Sequence, residues 1–143
     1  MNCKRRVPHN LFLVVSNEPI SDVAGSCNGT YGGLPNNTII SPNHPQDYDN
    51  NQYCDWTITA PTGKNVVLKF TEFDTEYGYD ILKIYNGEDS GGPLLHSISG
   101  GYSKEIISIG NKMYLSFTSD GSTTRSGFRG ALTYTRGMLK HLC

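Results

Sequence analysis

The chain has 143 residues and a formal net charge of −1, from 12 Lys and Arg against 13 Asp and Glu. This length accommodates one domain with a packed core, and the balanced charge provides no basic stripe for nucleic acid. The longest apolar run, Leu11–Val15, has five residues, far fewer than the roughly 20 that cross a bilayer. We therefore expect neither a nucleic-acid partner nor a membrane span.

The predicted domain occupies residues 26–136, between two tails. Residues 1–25 are interpreted as an N-terminal tail or a degraded signal segment. Their start is basic, but the apolar stretch that follows is shorter than the roughly 7–15 residues of a secretory signal. Residues 137–143 are interpreted as a C-terminal tail.

Four cysteines lie at positions 3, 27, 54 and 143. An even number in a short chain is compatible with disulfides, but the uneven spacing leaves the pairing open, including the fate of Cys3 and Cys143. The absence of a C-x-x-C motif argues against a zinc ribbon or a thioredoxin-like site. Two sequons, which begin at Asn28 and Asn36, predict N-glycosylation if the chain is secreted.

Apolar residues alternate with polar ones along several short segments, and this period of two is typical of half-buried strands. The alternating apolar sets are Cys54, Trp56, Ile58 and Ala60, then Val66, Leu68 and Phe70, then Leu82 and Ile84, then Met113, Leu115 and Phe117, and finally Phe128, Gly130, Leu132 and Tyr134. Turn signals separate them at residues 61–64 and at Asn86-Gly87. The pattern predicts an all-β fold, an antiparallel β-sandwich or barrel.

Residues 87–94, with the sequence Gly-Glu-Asp-Ser-Gly-Gly-Pro-Leu, resemble the nucleophile segment of trypsin-like serine proteases. That mechanism needs a serine hydroxyl beside a histidine that a carboxylate orients. Neither His9 nor His44 stands in the sequence context that such a histidine has in these proteases. We expect a polar turn between two strands instead, and a protein that is not an enzyme.

Three carboxylates are predicted to meet at one end of the sandwich. Asp80 opens one strand, Asp120 ends another, and Glu76 lies in the loop before Asp80. Like charges at close range are unfavourable unless a cation neutralises them, and Ca²⁺ accepts carboxylate oxygens in flexible geometry. Ser122 and the backbone around Gly121 would add oxygen ligands. Dispersed acids in loops are more commonly just solvated, so spacing alone leaves a metal site open.

A series of short motifs runs through the predicted domain in a fixed order. It consists of Cys27, Gly32-Gly33, Ile40–Tyr48, Cys54–Ile58, Pro61-x-Gly63, Val67–Glu76, Tyr79-Asp80, Ile84–Gly87, Leu115–Asp120 and Gly127-Phe128. In this order the chain resembles a CUB domain, an extracellular module of complement proteases, tolloid-type metalloproteases, cubilin and spermadhesins. The resemblance implies a CUB-like jelly-roll sandwich and a disulfide between Cys27 and Cys54. The second usual disulfide is missing, because its positions hold Tyr77 and Ser99.

CUB domains of the calcium-binding type carry a tyrosine, a glutamate, two aspartates and a following serine or asparagine. The matching positions hold Tyr48, Glu76, Asp80, Asp120 and Ser122. The resemblance implies that the three acids ligate Ca²⁺ with Ser122 beside them, while the tyrosine hydroxyl holds one acid. It further implies that Tyr48, Glu76 and Asp120 meet a lysine or arginine of a partner protein. Since the loop from Glu76 to Asp80 is short, Glu72 is the substitute candidate for the glutamate ligand.

The expected function is that of a secreted, non-enzymatic module that binds an extracellular protein through a basic side chain and Ca²⁺-held carboxylates. One alternative is an accessory domain of an extracellular protease, which positions substrate while the chemistry takes place elsewhere. The other is a calcium-independent carbohydrate-binding module of the spermadhesin type.

Overall fold

A computed structural model describes residues 27–32 and 37–135. These ranges contain strands and turns only, so no helix in them is long and apolar enough to cross a membrane. The strands are β1 (Asn28–Gly32), β2 (Asn37–Ile40), β3 (Tyr53–Thr59), β4 (Val66–Asp74), β5 (Ile81–Asn86), β6 (Leu94–Ile98), β7 (Glu105–Ile107), β8 (Lys112–Thr118) and β9 (Gly127–Tyr134).

The strands form two sheets, with the order β1-β3-β8-β5-β6 in one and β2-β9-β4-β7 in the other. Neighbouring strands are antiparallel except β1 and β3, which run parallel. This pair differs from the purely antiparallel arrangement expected from the sequence. Parallel neighbours require a crossover connection, and here the chain between β1 and β3 passes through β2 in the opposite sheet. The predicted all-β sandwich is otherwise confirmed.

The core lies between the sheets and is built from the residues that the period of two placed on the inner faces. Trp56, Leu68, Ile84 and Leu115 are all at most 1% exposed. Phe128 is at the centre of the aromatic packing and meets the rings of Trp56, Phe70, Phe73 and Phe117 at centroid distances of 5.3 to 5.9 Å. Burial of a side chain of this size contributes about 1.5–3 kcal/mol, so this layer holds the two sheets together.

The protease-like segment connects β5 to β6. Its turn is closed by Asp89, whose side chain accepts a hydrogen bond from the Gly91 amide at 2.9 Å. The Asp89 carbonyl oxygen accepts another from the Gly92 amide at 3.3 Å. Ser90 is exposed on this turn. The expected polar turn between two strands is therefore confirmed.

Candidate functional site

The pairing of β5 with β8 brings the three predicted carboxylates to one end of the sandwich. Ile81 at the start of β5 faces Thr118 at the end of β8. Asp80 immediately precedes β5 and Asp120 follows β8 by two residues, while Glu76 lies in the β4–β5 connection. One carboxylate oxygen from each of the three acids lies within 4.8 Å of the others. We call these three residues the acidic group.

Asp80 is the buried centre of the acidic group, with no exposed surface. Its Oδ2 accepts a hydrogen bond from the Tyr48 hydroxyl at 2.6 Å, and its Oδ1 accepts one from the Asp120 amide at 2.9 Å. The Tyr48 hydroxyl in turn accepts a bond from the Glu76 amide at 3.1 Å. The tyrosine hydroxyl therefore holds the Asp80 carboxylate, as the resemblance implied for one acid, and it also bonds the backbone of Glu76.

Tyr48 itself is 1% exposed, and its ring packs edge-on against Phe117 at 5.1 Å. A partner protein would not reach a hydroxyl that is buried and bonded to Asp80 and Glu76. The structure therefore assigns Tyr48 a positioning role, which corrects the expectation that it contacts a partner directly.

A buried threonine fixes the loop from Glu76 to Asp80 at its base. The Thr75 hydroxyl donates to the Asp80 carbonyl oxygen at 2.9 Å and accepts from the Gly100 amide at 3.0 Å. The loop closes on itself through the Asp80 amide, which donates to the Glu76 carbonyl oxygen at 3.1 Å. Sequence analysis missed Thr75, and only its position next to a candidate ligand would have singled it out.

The second side of the site is held by the segment that follows Tyr48. The Asn51 amide donates to the Asp120 carbonyl oxygen at 2.8 Å. The Ser119 hydroxyl donates to the Asp49 carbonyl oxygen at 2.7 Å and accepts from the Gln52 amide at 2.9 Å. Ser119 was also missed, because its role depends on a segment 70 residues away in the chain.

Ser122 is exposed at the rim of the site. Its backbone amide donates to Asp120 Oδ1 at 3.2 Å. This hydrogen bond orients the Asp120 carboxylate. The predicted ligand role of its hydroxyl remains a prediction.

Electrostatics make the acidic group unfavourable without a counter-charge. Partial burial raises the pKa of Glu76, and the negative charges of Asp120 and Asp80 raise it further. Burial, together with the hydrogen bond to Asp80, also raises the pKa of the Tyr48 hydroxyl. Glu76 Oε2 is buried and has no hydrogen-bond partner among the described residues. An unpaired buried oxygen costs stability, and a cation ligated by it would remove that cost.

The carboxylate oxygens of the acidic group are suitable ligands for Ca²⁺, which takes six to eight oxygen ligands, mainly from carboxylates, carbonyls and waters. The acidic group supplies oxygen ligands only.

Glu72, the substitute candidate, lies elsewhere. Its carboxylate meets His44 Nε2 at 2.7 Å and is 59% exposed. The other ring nitrogen, His44 Nδ1, lies 2.8 Å from the Ser126 carbonyl oxygen. Because Glu72 pairs with this histidine, the structure places Glu76 and not Glu72 in the acidic group.

The disulfide between Cys27 and Cys54 is confirmed, with Cα atoms 4.7 Å apart. At the positions of the missing second disulfide, Tyr77 is 82% exposed and the Ser99 hydroxyl accepts from the Gly78 amide at 3.0 Å. Asn28 is exposed on β1. Its glycosylation stays a prediction. Asn36, Cys3 and Cys143 lie outside the described residues.

A family model described as the CUB domain matches residues 27–134. The chain is 38% identical to embryonic protein UVS.2 of Xenopus laevis over 116 residues, which cover 77% of this chain and 22% of that protein. It is 36% identical to human tolloid-like protein 1 over 100 residues, 66% of this chain and 10% of that protein. The chain thus spans about a fifth or less of these relatives.

A solved structure of a CUB domain is also similar to this chain. The MASP-1 CUB2 domain bound to Ca²⁺ matches with a TM-score of 0.64 and 28% identity, over 75% of this chain and 99% of that domain.

Proposed function

Because the chain belongs to the CUB domain family, we propose that it is an extracellular, non-enzymatic module that binds a partner protein through a lysine or arginine. The proposal places that basic side chain on the acidic group, in the presence of Ca²⁺. The observation that carries it is the buried, unpaired Glu76 Oε2 beside two further carboxylates. A supporting likeness is the MASP-1 CUB2 domain, which is described as bound to Ca²⁺.

Glu76, Asp80 and Asp120 would hold the ion, with Ser122 as a further oxygen donor. When bound, Ca²⁺ supplies positive charge that offsets the repulsion among the carboxylates. Asp80 is already fixed by Tyr48 and by the Asp120 amide, so the site is largely preorganised. Glu76 and Asp120 are half-buried, whereas Asp80 has no exposed surface, so a partner would approach through Glu76 and Asp120.

The basic side chain is favoured by charge and by hydrogen-bond geometry. Three carboxylates exceed the charge of one divalent cation by one, so a net negative site remains. An ammonium or guanidinium group donates strong charge-assisted hydrogen bonds to fixed carboxylates. Such contacts provide specificity and association rate more than affinity, so binding should weaken as salt concentration rises.

A second candidate function is that of one accessory module within a longer extracellular protein. The chain matches only 10% of tolloid-like protein 1 and 22% of embryonic protein UVS.2. Ligand capture by the acidic group would then position a substrate or partner for a neighbouring domain. The two functions use the same site and differ in what the rest of the protein does.

The test measures binding of the whole chain to a surface that displays lysine- and arginine-containing peptides, in millimolar Ca²⁺ and in EGTA. We expect binding in Ca²⁺ alone, and its loss in Glu76→Gln. The matched control is Glu72→Gln. It removes an exposed carboxylate on β4, four residues before Glu76 and outside the acidic group. Equal binding in Ca²⁺ and EGTA, or equal loss in both variants, would contradict the proposal.

A further inference from the structure

A row of tyrosines lies on the outer face of the five-stranded sheet. Tyr53 is on β3, Tyr114 on β8 and Tyr85 on β5, three strands that are neighbours in the sheet. Successive side chains of a strand point to opposite faces, and the chain neighbours of these tyrosines are the core residues Cys54, Leu115 and Ile84. Tyr114 is 8% exposed, whereas Tyr53 is 61% exposed. Tyr53 therefore provides most of the open surface of this row.

The Tyr53 side chain lies along the sheet instead of standing upright on it. Tyr114 pairs with Thr57, which is four residues from Tyr53 on β3, so the two tyrosines start about 13 Å apart along the strands. Upright side chains would keep their hydroxyls at about that separation, yet the two hydroxyls are 3.5 Å apart. Both side chains therefore lean toward each other, and the exposed Tyr53 ring is open to solvent along its length.

Asp55 connects the tyrosine row to β1. Its Oδ2 accepts a hydrogen bond from the Tyr114 hydroxyl at 2.9 Å. Burial, together with the hydrogen bonds to Tyr53 and Asp55, raises the pKa of Tyr114, so its hydroxyl stays a donor. The Asp55 backbone amide donates to Asn28 Oδ1 at 3.1 Å. Because Asn28 faces Asp55 in the pairing of β1 with β3, its side chain lies beside the row.

Asn28 begins the first of the two sequons, and the fold presents that sequon at the edge of a sheet. Asn28 and Thr30 are both exposed on β1, which among the described strands pairs only with β3. The bond from Asp55 holds the Asn28 side chain by its oxygen, whereas an N-linked glycan is attached through the nitrogen.

The attachment uses an oligosaccharide carried on a lipid diphosphate. Asn28 Nδ2 forms a bond to the anomeric carbon of the first sugar, while the bond from that carbon to the diphosphate oxygen breaks. The diphosphate leaves with the electron pair, and the amide loses one proton. Nδ2 therefore keeps one N–H, and Oδ1 keeps its hydrogen bond to the Asp55 amide.

We propose that Asn28 carries an N-linked glycan whose first sugar packs on the Tyr53 ring and donates a hydrogen bond to the Asp55 carboxylate. That sugar is N-acetylglucosamine, which has an apolar face for the tyrosine ring and an acetamido N–H for the carboxylate. Tyr53 lies two residues before Asp55, about 7 Å along β3, within range of a sugar that begins one strand away. Asp55 accepts from both groups because a carboxylate has about four acceptor sites.

The packed glycan shields the open edge of β1. An edge strand exposes unpaired backbone N–H and C=O groups, which are a template for pairing with another chain. A bulky, hydrophilic glycan that is held beside this edge excludes such a neighbour. The acidic group takes no part, so this inference is independent of the proposed calcium site.

The test uses the whole chain, secreted from cells that make high-mannose glycans and carrying Asn36→Gln, so that Asn28 begins the one sequon left. Endoglycosidase H trims the glycan to its first sugar, and mass spectrometry gives the occupancy of Asn28. Circular dichroism then compares the melting temperature of this form with that of Thr30→Ala, which carries no glycan. We expect the first sugar to raise the melting temperature by about 2–6 °C, as a contact of aromatic-pair size would.

Tyr53→Ala should remove this difference between the two forms, whereas Tyr53→Phe should keep most of it because the ring remains. The matched control is Tyr79→Ala, which removes a tyrosine of similar exposure, 65%, from the β4–β5 connection. It should keep the whole difference. Because each comparison is between two forms of the same variant, a general loss of stability cancels.

An unoccupied Asn28 would overturn the proposal, and so would a melting difference of equal size in the wild type and in Tyr53→Ala. NMR of the single-sugar form gives the most direct measurement. We expect nuclear Overhauser contacts between the sugar ring protons and the Tyr53 ring. Their absence would contradict the packing even if the melting difference were present.

Discussion

Tyr48→Phe removes one oxygen atom from the centre of the site and keeps the packing of the ring. That oxygen donates to Asp80 Oδ2 at 2.6 Å and accepts from the Glu76 amide at 3.1 Å. A hydrogen bond to a charged group contributes about 1.5–3 kcal/mol, and the amide also loses its acceptor. For a domain of about 110 residues each kcal/mol corresponds to about 4 °C. We expect the melting temperature in EGTA to fall by about 6–12 °C.

The same variant should weaken Ca²⁺ binding by about 10- to 100-fold, the usual effect of removing a group that orients a metal ligand. Circular dichroism gives the melting temperature and calorimetry the affinity. Tyr102→Phe is the matched control, because Tyr102 is a half-buried ring whose hydroxyl forms no hydrogen bond with the part of the chain that the structure describes. If Tyr48→Phe behaved like this control in both assays, the positioning role of Tyr48 would be refuted.

Three further outcomes follow from the structure. The double variant Cys27→Ala/Cys54→Ala should lose about 3.5 kcal/mol in denaturant unfolding, since the bridge closes a 27-residue separation. Glu76 has a pKa raised above its ordinary value of 4.5, so its contribution to calcium-free stability is present below that value and is lost as pH rises through the folded-state pKa. Glu76→Gln should therefore be more stable than the wild type in EGTA at neutral pH and equal to it in acid, as urea midpoints would show. Gly127→Ala should cost about 2–4 kcal/mol, because φ is +78° and the added Cβ would meet a buried serine hydroxyl. Gly63→Ala, at φ +82° with nothing within 4 Å, should cost only about 1 kcal/mol.

The sequence predicted the strands well where alternation was strong. Trp56 and Leu115 lie on inner faces as expected, because a period of two survives whatever the topology of the sheet. The parallel pairing of β1 was not predicted. It depends on β2 entering the opposite sheet, and the alternation within a strand of four or five residues carries no information about the identity of its neighbour.

The acids of the candidate site were predicted correctly as a group, since the ends of two antiparallel strands meet whenever those strands pair. Of the network around them, the Tyr48 contact with one acid was implied by the resemblance, and the rest was not. Thr75 and Ser119 are small hydroxyl residues of a kind that occurs throughout the chain, and their importance comes from carbonyl and amide groups that only the folded chain brings near. Glu76 was the first choice from the sequence and Glu72 the substitute; the contact that holds Glu72 away from the group is with His44, 28 residues earlier in the sequence.

Thermal unfolding of the whole chain in EGTA and in 1 mM Ca²⁺, with Asp120→Ala in parallel, tests whether the acidic group is a calcium site. For a dissociation constant near 10⁻⁵ M, 1 mM Ca²⁺ adds about 2.7 kcal/mol, or about 11 °C in melting temperature for a domain of about 110 residues. We expect this shift in the wild type and its absence in Asp120→Ala. A wild type that melts at the same temperature in both buffers, or a variant that shifts equally, would contradict it.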